Sequence, residues 1–183
     1  MATATGSRAG TVGTVGNSGL VAIIGLNAAW ITGTLGSFLD EGSDLQQLLY
    51  SLASMLGAMG GAALAARQMR AGRELAAAGF GLMVAITVAE VVAGFGGPAA
   101  DGVFVQLAIL FLPAMWLIAF QDWSTTWARA AAAVSGLAFA VYGYMYTFGD
   151  DAPDTQSPVL IVAYLTFTVA IIGWSMTLRA ERE

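Results

Sequence analysis

The chain has 183 residues, 57% of them hydrophobic and only 10% charged, with a formal net charge of -5. It is too apolar for a domain with a solvated surface, so a lipid bilayer is the expected solvent. Cysteine and histidine are absent, which excludes disulfides, thiol redox chemistry, His-ligated haem, Cys/His zinc sites, iron–sulfur clusters and Ser-His-Asp catalysis.

Lysine is absent too, so no Schiff-base cofactor can be held and arginine is the only basic side chain. The acidic balance argues against nucleic acid or an anionic lipid surface as the main partner. An arginine-only, Ala/Gly-rich, acidic composition fits a GC-rich prokaryotic genome and equally a halophile.

Residues 1–18, opening "MATATGSRAGTVGTVGNSG", are small and polar and read as a disordered tail. A signal peptide is the competing reading, disfavoured by a long apolar run with no A-x-A-like cleavage site after it. Six segments then approach the roughly 20 apolar residues needed to cross a bilayer: 19–39, 45–66, 75–95, 103–120, 127–148 and 158–178. The short connections predict an all-α integral membrane protein of six transmembrane helices, arranged as three antiparallel hairpins in one bundle, 19–183. Three hairpins resemble the plan of the HdeD-like acid-resistance membrane proteins; no motif is shared, and no function is carried over.

Arg8, the Arg67/Arg70/Arg73 group, Arg129 and the Arg179/Arg182 pair all fall on one face of this arrangement. The opposite loops, "DEGSD", "GGPAADG" and "GDDAPDTQSP", hold acids and no base. By the positive-inside rule both termini are expected in the cytoplasm of a prokaryote, with the bundle in its cytoplasmic membrane. Trp123, Trp127 and Trp174 at one set of ends, with Phe38, Tyr50, Phe95, Tyr146 and Phe148 at the other, read as interfacial anchors.

Lipid offers no hydrophobic drive for helix association, so small residues must supply close packing. Gly57 and Gly61 on span two, with Gly25, Ala29 and Gly33 on span one, predict a tight seam, although the same faces would serve a homo-oligomer or a larger membrane complex. Pro113, in "LFLPAMW", removes a backbone donor and should kink span four.

Glu90, in "TVAEVVAG", is the one acid well inside a span, where an ionised group costs on the order of 3 kcal/mol unless neutralised, paired or wet. At its depth the other helices offer Thr34, Ser51, Gln106, Tyr142 and Tyr164, and Thr87 shares its face of span three. A dry network, with Glu90 bonded to Gln106 or a tyrosine, competes with a water-accessible binding site. Asn27 and Trp30 form a second cluster on span one, and Trp30 is expected to face the bundle and find an acceptor.

Met55 and Met59 read as core, and Asp150, Asp151 and Asp154 as a solvated loop; no metal site or cofactor is expected. No nucleophile and base pair stands out, which makes an enzyme the least favoured class. The leading expectation is a non-enzymatic accessory, assembly or interaction subunit in the membrane. The alternative is a small carrier or channel for a proton, cation or small polar solute using Glu90.

Overall fold

A computed structural model describes residues 15–40, 43–94, 100–149 and 157–181. The acidic loop residues 150, 151 and 154, Arg182 and Phe95, all used in the reading above, lie outside them, as do residues 1–14 of the expected tail. The described residues form seven α-helices and no strand: α1 (Val15–Gly36), α2 (Asp44–Arg70), α3 (Glu74–Gly94), α4 (Ala100–Ala108), α5 (Phe111–Ala119), α6 (Thr126–Phe148) and α7 (Pro158–Ala180). With α4 and α5 taken together, six of these units are long and apolar enough to cross a membrane.

The helix ends follow local chemistry. Ser43 caps α2, its hydroxyl accepting from the Gln46 N–H at 3.3 Å. Past its other end, Gly72 adopts φ 71°, the Arg73 N–H reaches the Gln68 carbonyl and the Gly72 N–H the Met69 carbonyl. That is a Schellman stop, and it turns the chain straight into α3.

The fourth span is interrupted, and α4 ends at Ala108 while α5 starts at Phe111. Pro113 cannot donate to the carbonyl of Ile109, four residues back, and its ring crowds that carbonyl. The Leu110 N–H turns to Leu107 at 2.9 Å and the Leu112 N–H to Ile109 at 3.3 Å, bonds of tighter pitch than an α-helix.

Consecutive helices pack closely. On α1 and α2, Gly25 meets Gly60, Ala29 meets Gly57 and Gly33 meets Ala53, a descending series that makes the pair antiparallel. The close crossing is at Gly60, where a Cβ added to Gly25 would sit 2.8 Å from the Gly60 Cα. Gly61, assigned to this seam by the sequence, instead meets Val84 of α3, because it is rotated about 100° from Gly60 on the helix. The ring continues from α3 to α5 through Gly79, from α5 to α6 through Gly136, from α4 to α6 through Gly143 and from α6 to α7 through Gly173. Between α1 and α7 it closes on a hydrogen bond from Asn27 Nδ2 to Ser175 Oγ, 2.9 Å.

At the end carrying Arg67, Arg73 and Arg129, here the arginine end, the centre of the ring is filled. Phe80 stands edge-on to both Trp123 and Trp174, at 5.7 and 5.1 Å between centroids, and Phe167 continues the cluster from Trp174 at 6.3 Å. Trp123 and Trp174 are therefore core residues and not interfacial anchors, while Trp127, Phe38 and Phe148 remain exposed. Six helices around one axis leave a hole that only large rings fill. Met55 and Met59 are exposed on α2, correcting their reading as core.

Candidate functional site

Away from the arginine end Val105, Phe139, Tyr142 and Leu160 are buried, but three aromatic side chains on the inward faces are accessible. On α7, Tyr164 shares a stripe with Ile171, Ser175 and Leu178, seven, eleven and fourteen residues on. Those three are buried, yet Tyr164 is 49% accessible. On α1, Trp30 follows buried Ile23 and Leu26 along one face and is 43% accessible. On α2, Tyr50 lies on the stripe of fully buried Leu64 and Gln68 and is also 43% accessible. The accessibility is local to these side chains, since Leu160, four residues before Tyr164 on the same face of α7, is buried again, and the Tyr50 ring packs on Gly36 of α1.

Glu90 lies on α3, near the end far from the arginines. The Tyr164 hydroxyl is within electrostatic range of the Glu90 carboxyl and of Tyr50 and Tyr142. Phe139 braces Tyr164 edge-on at 5.2 Å and 86°, and Tyr142, buried, packs on Tyr146 and Phe104. Glu90 is partly accessible as a residue; its Oε1 is buried and receives no hydrogen bond.

Of the residues expected at this level, Glu90, Tyr142 and Tyr164 come together, and Tyr50, read as a belt residue, joins them. Gln106 does not, since it sits on the exposed face of α4, one position from buried Val105. Thr87 bonds back to the Met83 and Val84 carbonyls at 3.0 Å each and is not turned to the carboxylate. Thr34 and Ser51 are partly buried, with no hydrogen bond to Glu90. Asn27 is spent on Ser175 and on the Ile23 carbonyl at 2.8 Å. Trp30, expected to face the bundle, is exposed. Tyr50 was hidden from sequence reading by its place near a helix end, where aromatic residues usually anchor.

The arginine end is latched. Glu181, just past α7, receives Arg67 at 2.6 Å and Arg73 at 3.2 Å, and Arg73 also donates to Gln68 Oε1 at 3.2 Å. This ties α2 and the start of α3 to the end of α7. Arg129 pairs with Asp122 and donates to the Ala119 carbonyl at 2.7 Å, fastening α5 to α6.

Partial burial alone would raise the Glu181 carboxyl, but the two guanidiniums outweigh it and hold it below the ordinary carboxylate range. A depressed folded-state pKa gives stability that is complete above the unfolded value of about 4.5 and lost as pH falls through the folded value. Glu181→Gln should therefore cost about 1 kcal/mol at neutral pH, screening included, and cost less with increasing acidity. Thermal unfolding in detergent between pH 3 and 7 checks this, and a penalty independent of pH would rule the latch out.

The fold is that of a helical bundle with six candidate membrane spans, and the candidate site is Glu90 with the tyrosines in its electrostatic surroundings. No family model, no curated protein and no solved structure matches the chain.

Proposed function

We propose that this is a small carrier in a prokaryotic cytoplasmic membrane, binding a cation or small polar solute at Glu90. The observation that carries the reading is a carboxylate within a candidate span whose Oε1 is buried and receives no hydrogen bond, with Tyr164 in its electrostatic range. A carrier needs a site reachable from one face and closed to the other, and the aromatic core and Glu181 latch supply the closure. Arginines gathered at the latched end favour that end, with both termini, on the cytoplasmic side. An accessory-subunit role needs a partner face, and no exposed apolar face among the described residues is distinguished from one that meets lipid.

The natural chain has no cysteine, so single replacements can be labelled cleanly. Tyr164→Cys in intact cells should react with a charged, membrane-impermeant thiol reagent added outside, at least tenfold faster than Ile171→Cys, since such reagents act only where water reaches. If Tyr164→Cys is no more reactive than Ile171→Cys, or yields only to a lipid-soluble reagent, no solute path reaches this level and the carrier reading fails. A phosphatase fused after Arg70 should be inactive, and activity there would reverse the orientation.

A further inference from the structure

We infer that the cavity between the α2–α3 turn and the end of α5 binds the headgroup of a phosphoethanolamine lipid, its phosphate on Arg73 and its ammonium on Asp122. The inference needs only that the bundle sits in a bilayer, and it does not rest on the carrier reading. The cavity measures about 400 Å³ and is lined by Arg73, Leu75, Phe120, Gln121, Asp122 and Trp123. Arg73 is held in place there by its Nη1, which donates to Gln68 Oε1 and to Glu181 Oε1, each at 3.2 Å. Its Nε and Nη2 have no partner among the described residues, and the side chain is 34% accessible. Those two nitrogens form the side-on edge of the guanidinium, whose parallel N–H groups match two oxygens of one phosphate. In the same lining, Gln121 Oε1 accepts from the Ala76 N–H at 3.4 Å, which leaves the amide Nε2 as a further donor.

The rest of the lining narrows the ligand. Asp122, whose side chain is 86% accessible, gives its Oδ1 to Arg129 and keeps Oδ2. A free phosphate or a purely anionic lipid would be repelled by that carboxylate, while a headgroup carrying both a phosphate and a protonated amine pairs with each charge. A primary ammonium also donates hydrogen bonds to a carboxylate oxygen, which a trimethylated one cannot do. Leu75 and Phe120 are 49% and 66% exposed, and Phe120 stands edge-on to exposed Trp116, one turn further into the span, at 5.7 Å between centroids. This apolar flank leads from the cavity toward the bilayer core, where a chain attached to the headgroup would lie. It is the feature that favours a lipid over a soluble phosphate ester.

The test is native mass spectrometry of the full chain in detergent, with phosphatidylethanolamine, phosphatidylglycerol and phosphatidylcholine of identical chains added singly. Wild type should hold phosphatidylethanolamine about fivefold more tightly than either of the others. Arg73→Gln should weaken that binding by about tenfold, and Asp122→Asn should remove the preference over phosphatidylglycerol. Glu181→Gln breaks the same latch as Arg73→Gln but leaves the phosphate-binding edge, so it should stay within about threefold of wild type. Thermal unfolding of each variant separates lost binding from lost folding. Equal binding of the three lipids, or binding unchanged in Arg73→Gln, marks annular lipid only and overturns the inference. Displacement of the lipid by free phosphoethanolamine at equal concentration overturns it too, since the apolar flank would then contribute nothing.

Discussion

Replacing Gly79 with valine should drive α3 away from α5 and destabilise the protein by about 3 kcal/mol, at the upper end for overpacking. A Cβ at this position would lie 2.5 Å from the Ala114 carbonyl oxygen, 2.7 Å from Ile118 Cγ1 and 3.1 Å from the Ile118 nitrogen. A side-chain tip can rotate away from such a contact; a carbonyl inside a helix cannot without breaking its own bond. The short helix α5 would have to move as a body, and it is held on its other side by Gly136, whose added Cβ would come within 3.0 Å of the Phe111 carbonyl. Gly81, two residues along α3, provides the control, because nothing lies within 4 Å of its Cβ position. Gly81→Ala should be neutral or stabilise the helix by up to about 1 kcal/mol. Unfolding temperatures and yields in detergent measure both, and the tight α3–α5 contact is refuted if Gly79→Val melts with Gly81→Ala.

Trp174→Ala should be equally severe, costing about 3 to 5 kcal/mol through the cavity it leaves. Its ring is fully buried and touches Phe80, Trp123 and Phe167, so no neighbour on one side can collapse into the space without leaving another. Trp174→Phe should cost less than half as much. It retains most of the ring contact, and the indole N–H makes no hydrogen bond with the protein that would be given up. Near-equal penalties for Ala and Phe would show that the ring is not what fills the centre. Because the cluster fills the arginine end, Trp174→Ala also gives a second readout: Ile171→Cys in that background should become reactive to the impermeant reagent.

Much of this was legible from residues alone, and the reasons are local. A bilayer's thickness sets a length that the apolar runs either meet or miss, and all six segments correspond to helical units long and apolar enough to span. Pro113 acts on its own backbone, and the interruption at residues 109–110 is where its missing donor and crowded carbonyl would put it. Ser43, Gly72 and Pro158 mark helix boundaries by their own conformational preferences.

The rotation of each helix was not legible. In a soluble helix the polar stripe reveals the outside, but α1 and α3 are apolar all round, so no periodicity shows which face turns inward. Depth can be counted along a helix, and it ranked Gln106, Tyr142 and Tyr164 as equal neighbours for Glu90; azimuth then turned Gln106 out and the tyrosines in. The same ambiguity exchanged Gly60 for Gly61 at the α1–α2 seam and put Trp123 and Trp174 in the core. What the sequence by itself determined is a chain of membrane-length helices, a carboxylate within one of them and a one-sided distribution of arginine. The tertiary structure alone decided which side chains stand near Glu90 and that aromatic rings fill the arginine end, because an inward face exists only once six helices have chosen their neighbours.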